Sequence, residues 1–262
     1  MKSVIIVGAS SGIGCALASI LVDRDIRVYN LSRTKCGYEG IINFEVDVTD
    51  TTRLRQIIDD IIACETNIDA GIYCAGYSIA VPIELADTDK CRYLFDVNYF
   101  GAVEFAQALI PTMRGAGAGR IVFVGSMAGQ LPIPFGSFYS SSKAALGMLA
   151  HGLRQELAPY NIHCSCVMPG GTITPFTAKR EKVDCKLTSY NHRYSNALAA
   201  LGVTEAKGMD AMTVAATIDK LLHRNHPPLF VPVGFKNRIT ASTAKILPDQ
   251  WVGRIMSEKF GI

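Results

Sequence analysis

Residues 2–7 read Lys-Ser-Val-Ile-Ile-Val and run without a break into Gly8-Ala9-Ser10-Ser11-Gly12-Ile13-Gly14, after which a helical pattern covers 12–23. Little else in the chain restricts its fold as much. A strand that enters a helix through three glycines in seven residues has the physical logic of a dinucleotide site. Gly8 permits the sharp turn, Gly12 lets backbone approach a pyrophosphate, and Gly14 allows helix and strand to pack closely. The helix N-terminus then offers free N–H groups to the anion, with Ser10, Ser11 and Ile13 completing the loop. A bare G-x-x-x-G-x-G string also suits a plain tight turn. Its placement at residue 8, after a strand and before a helix, selects the nucleotide reading.

The remainder of the chain alternates in the same way. Strands are expected at 2–7, 26–31, 41–46, 69–73, 119–125, 162–168 and 229–233, several of them near-continuous apolar runs suited to a sheet covered on both faces. Helical patterns fall at 12–23, 51–64, about 88–114, 139–158 and 211–224. In the fourth, Leu146, Leu149, Leu153 and Leu157 form one stripe before Pro159 ends it. The expected fold is therefore α/β: a doubly wound, Rossmann-like parallel sheet of about seven strands with helices on both faces. The chain, 1–262, is read as one domain without repeats or low-complexity linkers. Residues 170–210 and the tail 234–262 escape the alternation, and as long irregular segments they are candidates for substrate recognition.

Composition narrows the function. With 262 residues, 49% hydrophobic and 19% charged, disordered, collagen-like and coiled-coil classes are excluded. A net charge of +3 is too small to argue for nucleic acid or a membrane surface. No apolar run is long enough to span a bilayer, and the short lead into the glycine loop leaves no room for a signal peptide. Eight cysteines are scattered at 15, 36, 64, 74, 91, 164, 166 and 185, without C-x-x-C or zinc spacing. Reduced thiols and a cytoplasmic location are expected, with no metal.

Cofactor choice is read at the end of the second strand, where a carboxylate would hold the ribose 2′-OH of NAD. The sequence there is Leu31-Ser32-Arg33-Thr34-Lys35, and the nearest acid is Glu39. Ser32 as a donor and Arg33 as a charge-assisted fork suit a 2′-phosphate, so NADP(H) is expected. Asp47, with Val48 beside it, closes the third strand. It is placed either to accept from the adenine amino group or to cap the helix that starts near 50.

Gly125-Ser126 ends the fifth strand, and Tyr139-Ser140-Ser141-Ser142-Lys143 opens a helix thirteen residues later. Tyr139 and Lys143, at i and i+4, project from one helix face. Ser126 stands at the carboxyl end of a strand, where open α/β sheets bind ligands.

This combination resembles the short-chain dehydrogenase/reductase family over about residues 1–233. The family's glycine motif is met by Gly8, Gly12 and Gly14, and its adenine-side aspartate by Asp47. Its Asn-Ala-Gly strand motif is met by Cys74-Ala75-Gly76, and its helix asparagine by Asn98. The catalytic serine, tyrosine and lysine correspond to Ser126, Tyr139 and Lys143. The Pro-Gly pair against nicotinamide corresponds to Pro169-Gly170, followed by Thr172 and Thr174. Val7 and Cys74 depart from the family's threonine and asparagine, affecting local strand stability more than chemistry.

The resemblance implies that Tyr139 exchanges a proton with the carbonyl or alcohol oxygen. A free tyrosine titrates near ~10, and the Lys143 ammonium favours its phenolate. Ser126 would orient the substrate oxygen, Lys143 would hold the nicotinamide ribose, and Asn98 would hold a water in a proton relay.

Residues 127–135 and 171–176 are short of charge, which fits either an apolar pocket or simple coverage of the core. Residues 179–182 and 190–194 are wetter, either a lid with aromatic contacts or a solvated helix face, and His192 is read as surface. The tail loosely resembles the 17β-hydroxysteroid dehydrogenase-like branch, which implies a lipophilic ketone or secondary alcohol as the small-molecule substrate. A 3-oxoacyl-thioester or small-carbonyl reductase is the alternative, and a catalytically silent NADPH sensor is the alternative of another class. Val103, Ala106, Ile110 and Met113 form a second apolar stripe on the 88–114 helix, with Phe100, Phe105 and Leu109 on other sides. Together with helix 139–158 they predict a homodimer or homotetramer.

Overall fold

The computed structural model describes residues 1–184 and 189–262; Cys185 lies outside the described residues. Seven strands, β1 (Ser3–Val7), β2 (Arg27–Ser32), β3 (Ile41–Glu45), β4 (Ala70–Tyr73), β5 (Gly119–Val124), β6 (Ile162–Met168) and β7 (Phe230–Pro232), form one sheet. Its order is β7-β6-β5-β4-β1-β2-β3, and every pairing is parallel. The strand order reverses between β1 and β4. A crevice opens there at the carboxyl ends of the strands.

Both faces of the sheet are covered, which is why the strands read as unbroken apolar runs. Along β1, Ile5 and Val7 enter one core while Val4 and Ile6 enter the other. The first core is closed by α2 (Thr51–Cys64), α4 (Gly101–Ala116) and α5 (Ser137–Glu156), following α3 (Thr88–Phe95) in the chain. The second is closed by α1 (Gly12–Val22) and α7 (Ala211–Leu222). Gly71 of β4 leaves room for Leu109 and Phe105 of α4, whose side-chain atoms lie 2.2 and 2.9 Å from where a Cβ would stand. Cys164 and Cys166 are buried in the same core, and the seven described cysteines are free thiols. Asp50 caps α2 by accepting from the Arg53 N–H at 2.9 Å. The capping role offered for Asp47 therefore belongs to Asp50, the residue directly before the helix.

Three expectations change. The helix over 88–114 is not uniform: a π-turn, Asp96–Phe100, separates α3 from α4. Its cause is local. The Tyr73 hydroxyl donates to the Val97 carbonyl at 2.6 Å, and Gly101 makes room, since a Cβ there would sit 2.4 Å from that hydroxyl. A side chain inserted into the helical ladder forces the wider register. Second, the two segments read as irregular contain helices α6 (Asn191–Ala206), α8 (Phe235–Ala244) and α9 (Asp249–Phe260). Third, Ala106 and Met113 of the second stripe, with Phe105 and Leu109, are buried within the chain's own core. On α4 that leaves Phe100, just ahead of it, as the exposed large apolar side chain.

Gly14 carries a test of how α1 is held against β1. A Cβ at Gly14 would stand 2.3 Å from the Gly8 carbonyl oxygen and 2.9 Å from the Ala9 Cα, both backbone. In an unconstrained helix Gly→Ala stabilises by about 1 kcal/mol. Here Gly14→Ala is expected to destabilise by about 1–3 kcal/mol, read as a lower Tm in thermal unfolding. A raised Tm would show that the contact is not tight.

Candidate active site

The crevice at the switch point is the mouth of a cavity of about 550 Å³. Gly8 and Gly12 take the left-handed conformations their loop requires, at φ +91° and +56°. A Cβ on Gly8 would come within 2.7 Å of the Ala75 backbone nitrogen, so the glycine turn and the end of β4 touch backbone to backbone. The loop is pinned from beneath by Asn30, fully buried on β2. Its Oδ1 accepts from the Ala9 N–H at 3.0 Å and from the Ser32 hydroxyl at 2.6 Å, while its Nδ2 donates to Asn43 at 2.8 Å. Sequence reading missed Asn30, because nothing in its neighbourhood marks a buried amide among apolar residues as a loop anchor.

At the start of α1 no side chain caps the helix, and the first turn carries no acid. Those N–H groups face the cavity lined by Gly8, Ser10, Ser11, Gly12, Ile13 and Gly14. Free helix N–H groups beside a loop that admits no side chains fit the pyrophosphate of a dinucleotide. Further along, Ser32, Arg33, Thr34, Asp47 and Val48 line the same cavity. The Ser32 hydroxyl proton is directed at Asn30, so the exposed cation at this end is Arg33. Its guanidinium lies 3.5 Å from the Tyr93 hydroxyl, which in turn lies 3.5 Å from Asp47. Asp47 itself accepts from the N–H and hydroxyl of Thr49 at 3.0 and 2.9 Å, closing the turn after β3.

At the other end Cys74, Ala75 and Gly76 of the β4 loop face Ser126, Tyr139 and Lys143 across the cavity, with Pro169, Gly170, Thr172 and Thr174 forming the floor after β6. The Lys143 Nζ donates to the Val124 carbonyl at 3.0 Å and lies 5.9 Å from the Tyr139 ring centre. Burial lowers the ammonium's pKa to about 8. Burial also raises the Tyr139 phenol, an effect opposed by the Ser126 hydroxyl and by the Arg180 cation, and reinforced by the Glu205 carboxylate. The same desolvation pushes the Cys74 thiol up to about 12, leaving it an inert neutral neighbour. Ser126 Oγ accepts from the Ala128 N–H at 3.1 Å, which fixes the hydroxyl at the end of β5.

Asn98 occupies the middle of the π-turn and is fully buried. Its Oδ1 accepts from the Tyr77 N–H at 2.7 Å. Its Nδ2 donates to the Tyr77 carbonyl and to the Ser142 hydroxyl, each at 2.9 Å. The side chain thus clamps the β4 loop to α5 one residue ahead of Lys143.

In the wet stretch 179–182 Lys179 and Lys182 are exposed, whereas Arg180 and Glu181 are held by partners. Arg180 and Glu205 form a two-pronged ion pair, Nη1 to Oε2 at 3.1 Å with a second short contact, and their side chains are only 6% and 13% exposed. Glu181 bonds Tyr77 and Lys90, and Glu181–Lys182 pairs in parallel with Ile79–Ala80. These contacts fasten the segment after β6 onto the β4–α3 connection and α6. Tyr194 is buried and donates to the Ala80 carbonyl at 2.8 Å, with the Phe135 ring 5.4 Å away. His192 is exposed. Beyond Tyr139 the wall is apolar: Ala197 and Leu201 of α6 pack with Met256 and Phe260 of α9 and with Leu131, Ile133 and Phe135. The tail therefore forms part of the cavity wall, an arrangement without a local sequence signature.

Comparison with known proteins agrees with this geometry. The family model described as short chain dehydrogenase matches residues 2–184. A 3-ketodihydrosphingosine reductase of Bacteroides thetaiotaomicron is 32% identical over 252 residues, covering 94% of this chain and 93% of that one. Human 17-beta-hydroxysteroid dehydrogenase type 1 is 30% identical over 193 residues, 67% of this chain and 58% of that one. A crystal structure of a short-chain dehydrogenase from Streptomyces avermitilis superposes with a TM-score of 0.83 at 27% identity, covering 99% and 97% of the two chains. The matched region holds the glycine cradle, the π-turn and the Ser126–Tyr139–Lys143 group, and the relatives extend the likeness over nearly the whole length. The chain belongs to the short-chain dehydrogenase family, oxidoreductases that act on carbonyl and alcohol groups.

Proposed function

We propose that the protein is a single-domain, NADPH-dependent reductase of a lipophilic ketone, able to run in reverse on the secondary alcohol. The observation that carries this reading is the cavity: one end is a glycine cradle with an exposed cation, Arg33, and the other joins an apolar wall from α6, α9 and residues 131–133 to the paired charges of Arg180 and Glu205. A relative acting on 3-ketodihydrosphingosine, a long-chain ketone, supports the substrate class.

In this reading Gly8, Ser10, Ser11, Gly12, Ile13 and Gly14 hold the pyrophosphate, Asp47 and Val48 border the adenosine half, and Cys74, Ala75 and Gly76 line the path from the cradle toward Lys143. Pro169, Gly170, Thr172 and Thr174 support the nicotinamide. NADPH, when bound, supplies the hydride. Ser126 donates to the substrate oxygen and stabilises its developing charge. Tyr139 delivers the phenolic proton to that oxygen, and the ammonium of Lys143 stabilises the phenolate left behind. Lys143 also holds the nicotinamide ribose. Asn98 keeps α5 and the β4 loop in register, so that a water at this clamp links Lys143 to solvent.

Arg33 supplies the 2′-phosphate contact. Losing a charge-assisted bond costs on the order of 1.5–3 kcal/mol, roughly tenfold to a hundredfold in affinity. Binding titrations on Arg33→Ala should show weakened NADPH and nearly unchanged NADH. Equal weakening of both would remove the argument for NADPH.

Tyr139→Phe deletes only the transferable proton. Turnover of a long-chain ketone, followed by nicotinamide absorbance, should fall by at least about a hundredfold while cofactor affinity holds. A near-normal rate would disprove the assignment.

The chain is also proposed to pair with a second copy through α4 and α5, where Phe100 and Met148 stay exposed. Light scattering should give a multiple of 28.3 kDa, and a mass at that value itself means a monomer.

A further inference from the structure

Exposed apolar side chains scattered singly are ordinary. Their distribution here is not even. Of sixteen large hydrophobic side chains exposed among the described residues, five lie in the tail: Phe235, Ile239, Ile246, Trp251 and Ile255, at 50–83% exposure. They fall in register. Phe235 and Ile239 are i and i+4 on α8, Trp251 and Ile255 are i and i+4 on α9, and Ile246 stands in the short connection between the helices.

Each helix therefore has two different faces. On the inner faces, Asn237 of α8 and Met256 and Phe260 of α9 line the substrate cavity. On the outer faces lie the apolar pairs, with exposed Lys236 and Arg238 beside the pair on α8 and Arg254, ion-paired to Glu258, beside the pair on α9; Lys245 stands between the helices, and Lys259 lines the cavity. From 234 to 262 the tail holds five cations against two acids, a net +3 that equals the formal charge of the whole chain. The remaining residues are electrically balanced. The modest overall charge thus hides a concentrated one.

We infer that the outer face of α8 and α9 docks on the surface of an anionic lipid bilayer, holding the cavity wall against the membrane that supplies the substrate. Exposed apolar pairs with Trp and Phe on two successive helices, with long cationic side chains beside them, match the chemistry of the headgroup–acyl boundary. A second copy fits less well, because an isologous contact sets two cation-rich patches against each other. An acidic carrier protein would pair with the cations but leave the apolar stripe uncovered. The inference rests on the lipophilic-ketone reading for its purpose, though its test is separate from catalysis.

Trp251 is the only tryptophan in the chain, so tryptophan emission, excited selectively over the tyrosines, reports on this face alone. The full chain is titrated with phosphatidylcholine vesicles, with and without roughly one-third phosphatidylglycerol, and binding is checked by co-sedimentation. Anionic vesicles should shift Trp251 emission to the blue and sediment the protein. Phe235→Ser with Ile255→Ser should weaken that partition by at least about tenfold while turnover of a small water-soluble ketone is unchanged. Three outcomes overturn the inference: no shift with anionic vesicles, equal binding to neutral ones, or a double variant that changes the solution mass without changing vesicle binding. If vesicles bind but a long-chain ketone in detergent is not reduced, the substrate reading fails and the docking surface stands. If the ketone is reduced but Trp251 does not respond, the reverse holds.

Discussion

The structure depends on a backbone contact at the point where the strand order reverses. Gly8 lies so close to Ala75 that no side chain fits between them, and Gly14 is held as tightly against Gly8. That contact sets how near α1 approaches β1, and hence where its unpaired N–H groups point. It also brings the ends of β1 and β4 to the same depth, so one cavity passes the glycine cradle, the β4 loop and Tyr139 in turn. Asn30 holds the loop from the β2 side through hydrogen bonds inside the core, where an unpaired amide would be costly.

Around that frame the chemistry is governed by desolvation. Burial works against the charged forms of both groups at its centre, the Lys143 ammonium and the Tyr139 phenolate. The surroundings compensate in kind. Val124 offers a carbonyl to Lys143 and the Ser126 hydroxyl favours the Tyr139 phenolate, near which the Arg180–Glu205 pair also places opposite charges. The pair tends toward a dipole, so its two effects on the phenol oppose each other. Removing one partner of such a pair leaves an uncompensated buried charge, at a cost of about 3–5 kcal/mol. The same pair ties the segment after β6 to α6, so the electrostatics of the site and the closure of its chamber rest on one interaction.

The tail shows how averages mislead. Over 262 residues a charge of +3 says nothing about a partner, yet an equal excess is concentrated in the last 29 residues, on α8 and the connection to α9. No helix among the described residues is long and apolar enough to cross a membrane. A surface-lying helix needs no such length, only a sharp division between faces.

What the sequence determined by itself was everything carried by short-range pattern. The seven strands appear within about two residues of their expected bounds, because apolar runs and glycine punctuation are local physics. Tyr139 and Lys143 share a face because helical geometry places i and i+4 together. The tertiary structure alone decided what depends on distant partners. Asn98 lies in a π-turn because the Tyr73 hydroxyl, from β4, donates into the ladder at the carbonyl of Val97, 24 residues further on. Arg180 is buried because Glu205, 25 residues later, returns to meet it. Ala106 and Met113 belong to the core although their spacing suggested an outer stripe, since the width of a helix's buried face is set by what packs against it. Periodicity records which residues share a face; only the packed chain determines what that face meets.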